Sequence, residues 1–115
     1  MSKGLHLIVD CHDVPRATCL DEEGMMEAIG DVLRAHNCTI LNQFGRRLGE
    51  TTPPGYAITF TLDESHVTAH SYADEQKIAI DIFTCGTVTP RVILAALKEK
   101  IQLGKTETRE VERFL

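Results

Sequence analysis

A serine follows a carboxylate at Glu64-Ser65, within the run Asp63-Glu64-Ser65-His66-Val67-Thr68-Ala69-His70. A thiol closes the later run Asp81-Ile82-Phe83-Thr84-Cys85-Gly86. A hydroxyl that attacks a neighbouring carbonyl, imidazoles that move protons and a thiol that returns one are the parts of acyl transfer and acid–base chemistry. Each residue type also has a plain structural use. A serine after a glutamate is an ordinary turn or strand-edge residue, a lone histidine is ordinarily structural, and a lone cysteine packs as a small apolar group. A zinc site from His66, His70 and Cys85 is the strongest rival constellation. It lacks a fourth ligand by spacing, and strand positions four apart are about 13 Å apart, too far for one ion. No metal is expected.

Taken jointly, Glu64-Ser65-His66, Thr68, His70 and residues 81–86 resemble the core of the small prokaryotic S-adenosylmethionine decarboxylases. The resemblance runs over about residues 4–100 as a pattern of elements and is specific between 63 and 86. It implies a self-processing proenzyme cut between Glu64 and Ser65, with residues 1–64 as the β chain and 65–115 as the α chain. Ser65 would become a pyruvoyl group, the cofactor that such a chain makes from itself. Decarboxylating an amino acid needs a sink for the electrons left behind, and a pyruvoyl carbonyl provides one without an external cofactor. By the same resemblance His70 assists the elimination step and Cys85 returns a proton to the product. The implied partners are a small amino-acid substrate and a second copy of the chain, and the implied pathway is polyamine synthesis.

The chain departs from the family's pattern in three places. A processing serine that the family carries in the preceding strand is Ala57 here, which leaves Thr59 or Thr61 to supply a hydroxyl. The family's aromatic-Pro-Glu run after the histidine reads Tyr72-Ala73-Asp74, so a shorter carboxylate faces any ribose. The loop Gly45-Arg46-Arg47-Leu48 lacks the family's adenine-stacking aromatic, a loss of about 1–3 kcal/mol by analogy with base stacking. Arg47 suits a substrate carboxylate through its guanidinium fork, and Asp74 and Glu75 suit a cationic substrate end. S-adenosylmethionine is therefore the family default, and L-arginine or L-ornithine the alternative on the same scaffold. An unprocessed, non-catalytic regulatory relative is a reading from a different class. Ala57 supports it, and the retention of Glu64, Ser65, His70 and Cys85 opposes it.

The elements that must hold these residues follow from periodicity. Leu5 to His12 alternates as a strand, with His6, Asp10 and His12 on its second face. Thr18 or Asp21 could cap a helix to about His36, striped by Met25, Ile29 and Leu33. Cys38 to Phe44 reads as a strand, and 45–55 as a long Gly- and Pro-rich connection without regular structure. Tyr56 to Leu62, Val67 to Tyr72 and Lys77 to Phe83 form an antiparallel meander, which leaves Cys85 on the loop beyond. Thr89 with Pro90 starts a second helix, lined inward by Val92, Ile93, Ala96, Leu97 and Ile101 and stopped by Gly104. Thr106 to Phe114 is a final edge strand. The order predicts an α+β two-layer sandwich with two helices on one face of a mostly antiparallel sheet. The uncovered face, with Ile8, Thr59, Thr61 and Phe83, predicts a homodimer packed sheet against sheet, an αββα arrangement.

Composition sets the outer bounds. The chain has 115 residues, enough for a single domain with one core. A net charge of -5 opposes nucleic-acid binding, because no basic stripe offsets phosphate repulsion. No apolar run reaches membrane-spanning length and the N-terminus lacks a signal-peptide pattern. Cys11, Cys19, Cys38 and Cys85 show no CxxC pairing, so reduced thiols in a cytoplasm are expected.

Overall fold

The computed structural model describes residues 4–114, so Met1 to Lys3 and Leu115 of the single domain expected over 1–115 lie outside the described residues. Six strands form one sheet: β1 (Gly4–His12), β2 (Ile40–Leu48), β3 (Gly55–Leu62), β4 (His66–Tyr72), β5 (Lys77–Cys85) and β6 (Lys105–Arg113). Their spatial order is β2-β3-β4-β5-β1-β6 and every pairing is antiparallel. Helices α1 (Arg16–Leu20), α2 (Glu22–Ala35) and α3 (Pro90–Lys100) join a single 3-10 turn, Ala73–Glu75, between β4 and β5. This is the expected α+β sandwich, with one short helix more than the sequence pattern suggested.

Strand alternation builds the core. Leu7, Val9 and Cys11 of β1, Tyr56, Ile58 and Phe60 of β3, Val67 and Ala69 of β4, and Ile78, Ile80 and Ile82 of β5 are all at most 1% exposed. They face Met25, Ile29, Val32 and Leu33 of α2 and Ile93 and Leu97 of α3. Each such side chain taken from water contributes about 1.5–3 kcal/mol, which explains why the period-two pattern fixes the sheet.

Several boundaries differ from expectation, each for a physical reason. Asp21, not Thr18, caps α2: its Oδ1 accepts from the Gly24 N–H at 3.0 Å, while Thr18 lies inside α1. His36 is the C-cap residue of α2, half-buried rather than core, and its ring donates to the Val32 carbonyl at 2.9 Å. β2 starts at Ile40 and continues through Gly45, Arg46, Arg47 and Leu48, which pair with Ile58, Ala57, Tyr56 and Gly55. The irregular connection is therefore only 49–54. Gly45 is tolerated in the strand because α2 crosses there; a Cβ would sit 2.9 Å from Glu22 and 3.0 Å from Met26, the close approach that glycine in a strand marks.

At α3, Pro90 takes the first turn but Thr89 makes no side-chain cap bond. Leu94, not Val92, completes the buried side; Val92 is 45% exposed. The helix ends at Lys100 with Ile101 already extended. Gly104 (φ +64) instead presses the turn into β6 against the His12 and Asp13 carbonyls, where a Cβ would clash. Cys85 is the last residue of β5, not part of the following loop.

Tyr56 is the largest fully buried side chain, and its hydroxyl has no hydrogen-bond partner among the described residues. Burial drives its ionisation well above the usual tyrosine range. A buried hydroxyl without a partner costs about 1–3 kcal/mol. Tyr56→Phe should therefore fold with equal or greater stability, by up to about 1 kcal/mol in urea denaturation. A loss of that size would show that the hydroxyl is satisfied after all.

Candidate active site

The turn between β3 and β4 is tight. The Leu62 N–H donates to the Ser65 carbonyl at 2.9 Å, which leaves Asp63 and Glu64 exposed at the tip. The Glu64–Ser65 peptide thus sits where strand pairing has just ended, while Ser65 itself is anchored. On the other side of β4 the register pairs His66 with Phe83, and the Cys85 N–H donates to the Ser65 Oγ at 3.3 Å. Serine and thiol residue, twenty positions apart in the chain, are therefore neighbours because β4 and β5 end together.

Both line one cavity of about 140 Å³ with Asp63, Glu64 and Thr84; Cys38 and Val88 also line it. No motif or spacing marks Cys38 as a residue of this cavity. The connection from α2 into β2 brings it in, a placement that only the tertiary fold shows. Burial raises the Cys38 thiol above its usual range. Burial likewise raises Cys19 and pushes Cys11 up to about 11, and these two lie in the core, away from the cavity.

His70 is not in this cavity. Alternation places His66, Thr68 and His70 on the face of the sheet that no helix covers, and His70 stands between Ala57 of β3 and Ala79 of β5. Five residues of strand separate it from Ser65, about 17 Å. Ala57, the position without the processing hydroxyl, is thus the direct cross-strand neighbour of His70 rather than of Ser65. Thr59 pairs with Thr68 on the same face, one step nearer the turn.

The three residues expected to bind substrate also lie elsewhere in the protomer. Asp74 and Glu75 are exposed on the 3-10 turn beyond the far end of β4. An Asp74 oxygen accepts from Arg16 Nη2 at 2.9 Å, both side chains largely in water. Arg47 lies on the helix side of β2, in a surface hollow shared with Asp21, Glu22 and Glu23. These acidic residues at the start of α2 make Arg47 a poor lone anion receptor.

The uncovered face holds polar pairs that the sequence pattern did not reveal. His6 meets Asp81 at 3.0 Å, and His12 meets Glu107 at 2.9 Å. His66 packs against Phe83 with ring centres 5.4 Å apart, and the Arg113 guanidinium lies 5.0 Å over the same ring. The two histidines of β1 therefore serve separate carboxylates. Alternation placed Asp81 and Phe83 on this face, but the β1–β5 register was needed to find their partners.

A compact sheet with helices on one side, and a serine and a thiol held together at the end of two neighbouring strands, define a class that comparison with known proteins makes specific. Residues 5–114 match the family model for S-adenosylmethionine decarboxylase. An S-adenosylmethionine decarboxylase proenzyme of Clostridium botulinum is 31% identical over 111 residues, spanning 96% of this chain and 93% of that protein. A proenzyme of the same description from Acidithiobacillus ferrooxidans is 29% identical over 113 residues, spanning 97% and 83%. The crystal structure of the adenosylmethionine decarboxylase from Aquifex aeolicus shares the fold with a TM-score of 0.83 at 18% identity, covering 99% of this chain and 92% of that one. The chain belongs to the S-adenosylmethionine decarboxylase family.

The placement of the four thiols is open to a direct check. Iodoacetamide at pH 8 should alkylate Cys85 before Cys38, because burial leaves Cys38 with little of the reactive thiolate. Cys11 and Cys19, at most 1% exposed, should react only after unfolding. Peptide mass mapping reads the order, and early modification of Cys38 would contradict the cavity as described.

Proposed function

We propose that the chain cleaves itself between Glu64 and Ser65 and then decarboxylates S-adenosylmethionine. The supporting observation is the Ser65 Oγ, held by the Cys85 N–H at 3.3 Å beside a cavity and next to an exposed turn peptide. In the first step Ser65 Oγ bonds to the Glu64 carbonyl carbon, the peptide C–N bond breaks, and the hydroxyl proton ends on the Ser65 nitrogen. The turn suits this step, because the peptide is outside the strand ladder and its distortion breaks no sheet pairing. Elimination then removes the α-proton of residue 65, breaks its Cβ–Oγ bond and releases Glu64 as the C-terminal carboxylate of the β chain. The dehydroalanine left tautomerises to an imine, which water hydrolyses to the pyruvoyl carbonyl with loss of ammonia.

The residues present fit a pyruvoyl group at position 65. A serine lies at the cleavage point, a backbone donor already faces its side-chain oxygen, and a thiol residue shares the cavity. Once formed, that group supplies a carbonyl conjugated with an amide, the sink for the electrons left by departing carbon dioxide. Cys85 lines the same cavity, from which its thiol returns a proton to the product α-carbon.

His70 assists elimination in this reading, and about 17 Å of strand excludes its acting on its own Ser65. A second copy packed on the uncovered face supplies it. Ile8 and Phe83, half-buried there, gain by such cover. A copy that brings His70 also brings Asp74, four residues further along the same chain. The Asp74 carboxylate has one oxygen on Arg16 and the other available for a ribose hydroxyl. The family default stands ahead of arginine or ornithine because the relatives that the chain matches are named S-adenosylmethionine decarboxylase proenzymes.

The arrangement in trans has a distinctive consequence. Ser65→Ala and His70→Ala chains should each remain intact alone, and mixing them during refolding should cleave the His70→Ala chain at Ser65. Intact-mass spectrometry follows both fragments. Failure to cleave in the mixture, with wild type cleaving normally, would return His70 to a packing role.

For substrate, carbon dioxide release should be seen with S-adenosylmethionine and not with arginine or ornithine. Asp74→Asn should raise KM several-fold with little change in kcat, about 1 kcal/mol for a weakened charged hydrogen bond. Turnover of a basic amino acid would overturn the assignment.

A further inference from the structure

Two polar side chains are buried among the described residues, Ser71 and Thr84, each 4% exposed. Ser71 has a structural reason. Its Oγ accepts from the Tyr56 N–H at 2.9 Å and donates to the Cys19 carbonyl at 2.6 Å, which ties β3 and β4 to α1. No such pair accounts for the Thr84 hydroxyl among the described residues. Thr84 continues the inward row Ile78, Ile80, Ile82 of β5, where a fourth apolar side chain would be the natural occupant. Valine has the shape of threonine without the hydroxyl, so packing alone gives no reason for the oxygen.

The place where the row turns polar is the place where it reaches Ser65. Thr84 and Ser65 line the same cavity. The pairing of His66 with Phe83 puts Ser65 opposite Thr84 one step further on, and alternation turns both side chains away from the face that carries those two rings. Ser65 Oγ already accepts from the Cys85 N–H, so its own proton needs an acceptor before the oxygen can attack.

We propose that Thr84 is a positioning residue for self-cleavage: its hydroxyl makes no hydrogen bond to Ser65 in the resting structure, and its Oγ1 accepts from the Ser65 hydroxyl as that oxygen turns toward the Glu64 carbonyl. With the Cys85 N–H it then fixes the Ser65 oxygen from two sides. In the step it serves, the Oγ–carbonyl carbon bond forms, the C–N bond breaks, and the proton leaving Oγ arrives on the Ser65 nitrogen. Threonine accepts and donates through one oxygen, so it holds that proton's path without being consumed. The inference rests on the self-cleavage reading and adds a residue to it.

The test uses the full chain made by cell-free translation, with cleavage into residues 1–64 and 65–115 followed over time by intact mass. Thr84→Val should cleave about tenfold more slowly than wild type, the effect of one lost hydrogen bond on a barrier. Thr84→Ser should recover most of the rate. Melting temperatures, compared in a Ser65→Ala background that keeps all chains intact, should not fall for Thr84→Val. Cleavage of Thr84→Val at the wild-type rate, or of Thr84→Ser as slowly as Thr84→Val, overturns the proposal. If Thr84→Val fails to fold, Thr84→Ala and Thr84→Ser replace it, and equal rates for those two overturn the proposal equally. A wild-type chain that stays intact removes the self-cleavage reading and Thr84's role with it, an outcome distinct from a wild type that cleaves beside an unaffected valine variant.

Discussion

Everything at the β3–β4 turn depends on the register between β4 and β5. Val67 and Ala69 lie against Ile82 and Ile80 on the core side, while His66 and His70 lie against Phe83 and Ala79 on the other. A slip of one residue would reverse the faces, sending two histidines into the core and two apolar residues into water. Burying imidazoles without partners costs several kcal/mol and exposing the isoleucine contacts forfeits more. The contact between Ser65 Oγ and the Cys85 N–H is too weak to set this alignment. It is a by-product of apolar side chains that settle the register several residues away.

The same alternation explains why the chemistry is divided between two ends of the strand. The β3–β4 turn, the end of β5 and the entry to β2 meet at one end of the sheet, which collects Ser65, Thr84, Cys85 and Cys38. The opposite end collects Ala57, His70 and Asp74, of which Ala57 and His70 also lie on the other side of the sheet. A single antiparallel layer cannot fold one set onto the other. A reaction that needs both, as the proposed one does, needs a second copy of the chain.

Alternation made most of the fold legible in the sequence. Tyr56, Ile58, Phe60 and Leu62, and Ile78, Ile80 and Ile82, read correctly because burial selects apolar residues at every second position. Gly45 misled, because a glycine inside a strand is a turn signal by composition and a helix contact by structure. Gly104 misled similarly: it suggested a helix stop and instead serves a chain crossing at His12 and Asp13. Ser65 and Cys85 were legible through family resemblance, but their contact required the register. The distance of His70 from Ser65 was available from strand rise alone, since the same arithmetic that excluded a zinc site from His66 and His70 applies to Ser65 and His70.

The uncovered face is also prepared for cover in its electrostatics. Asp10, Asp81 and Glu107 lie on it beside Arg46, Arg109 and Arg113, following the alternation of their strands. Isolated charges there would oppose burial, because the cost of leaving water exceeds what a loose pairing returns. Within the protomer, however, Asp81 already meets His6, Glu107 meets His12, and Arg113 lies over Phe83. Groups that carry their counterpart with them lose less on desolvation than groups that must find one across an interface. The apolar gain from Ile8, Phe44 and Val111 is then opposed mainly by Asp10, Arg46 and Arg109. In the proposed dimer those three are the charges that would need partners across the second sheet.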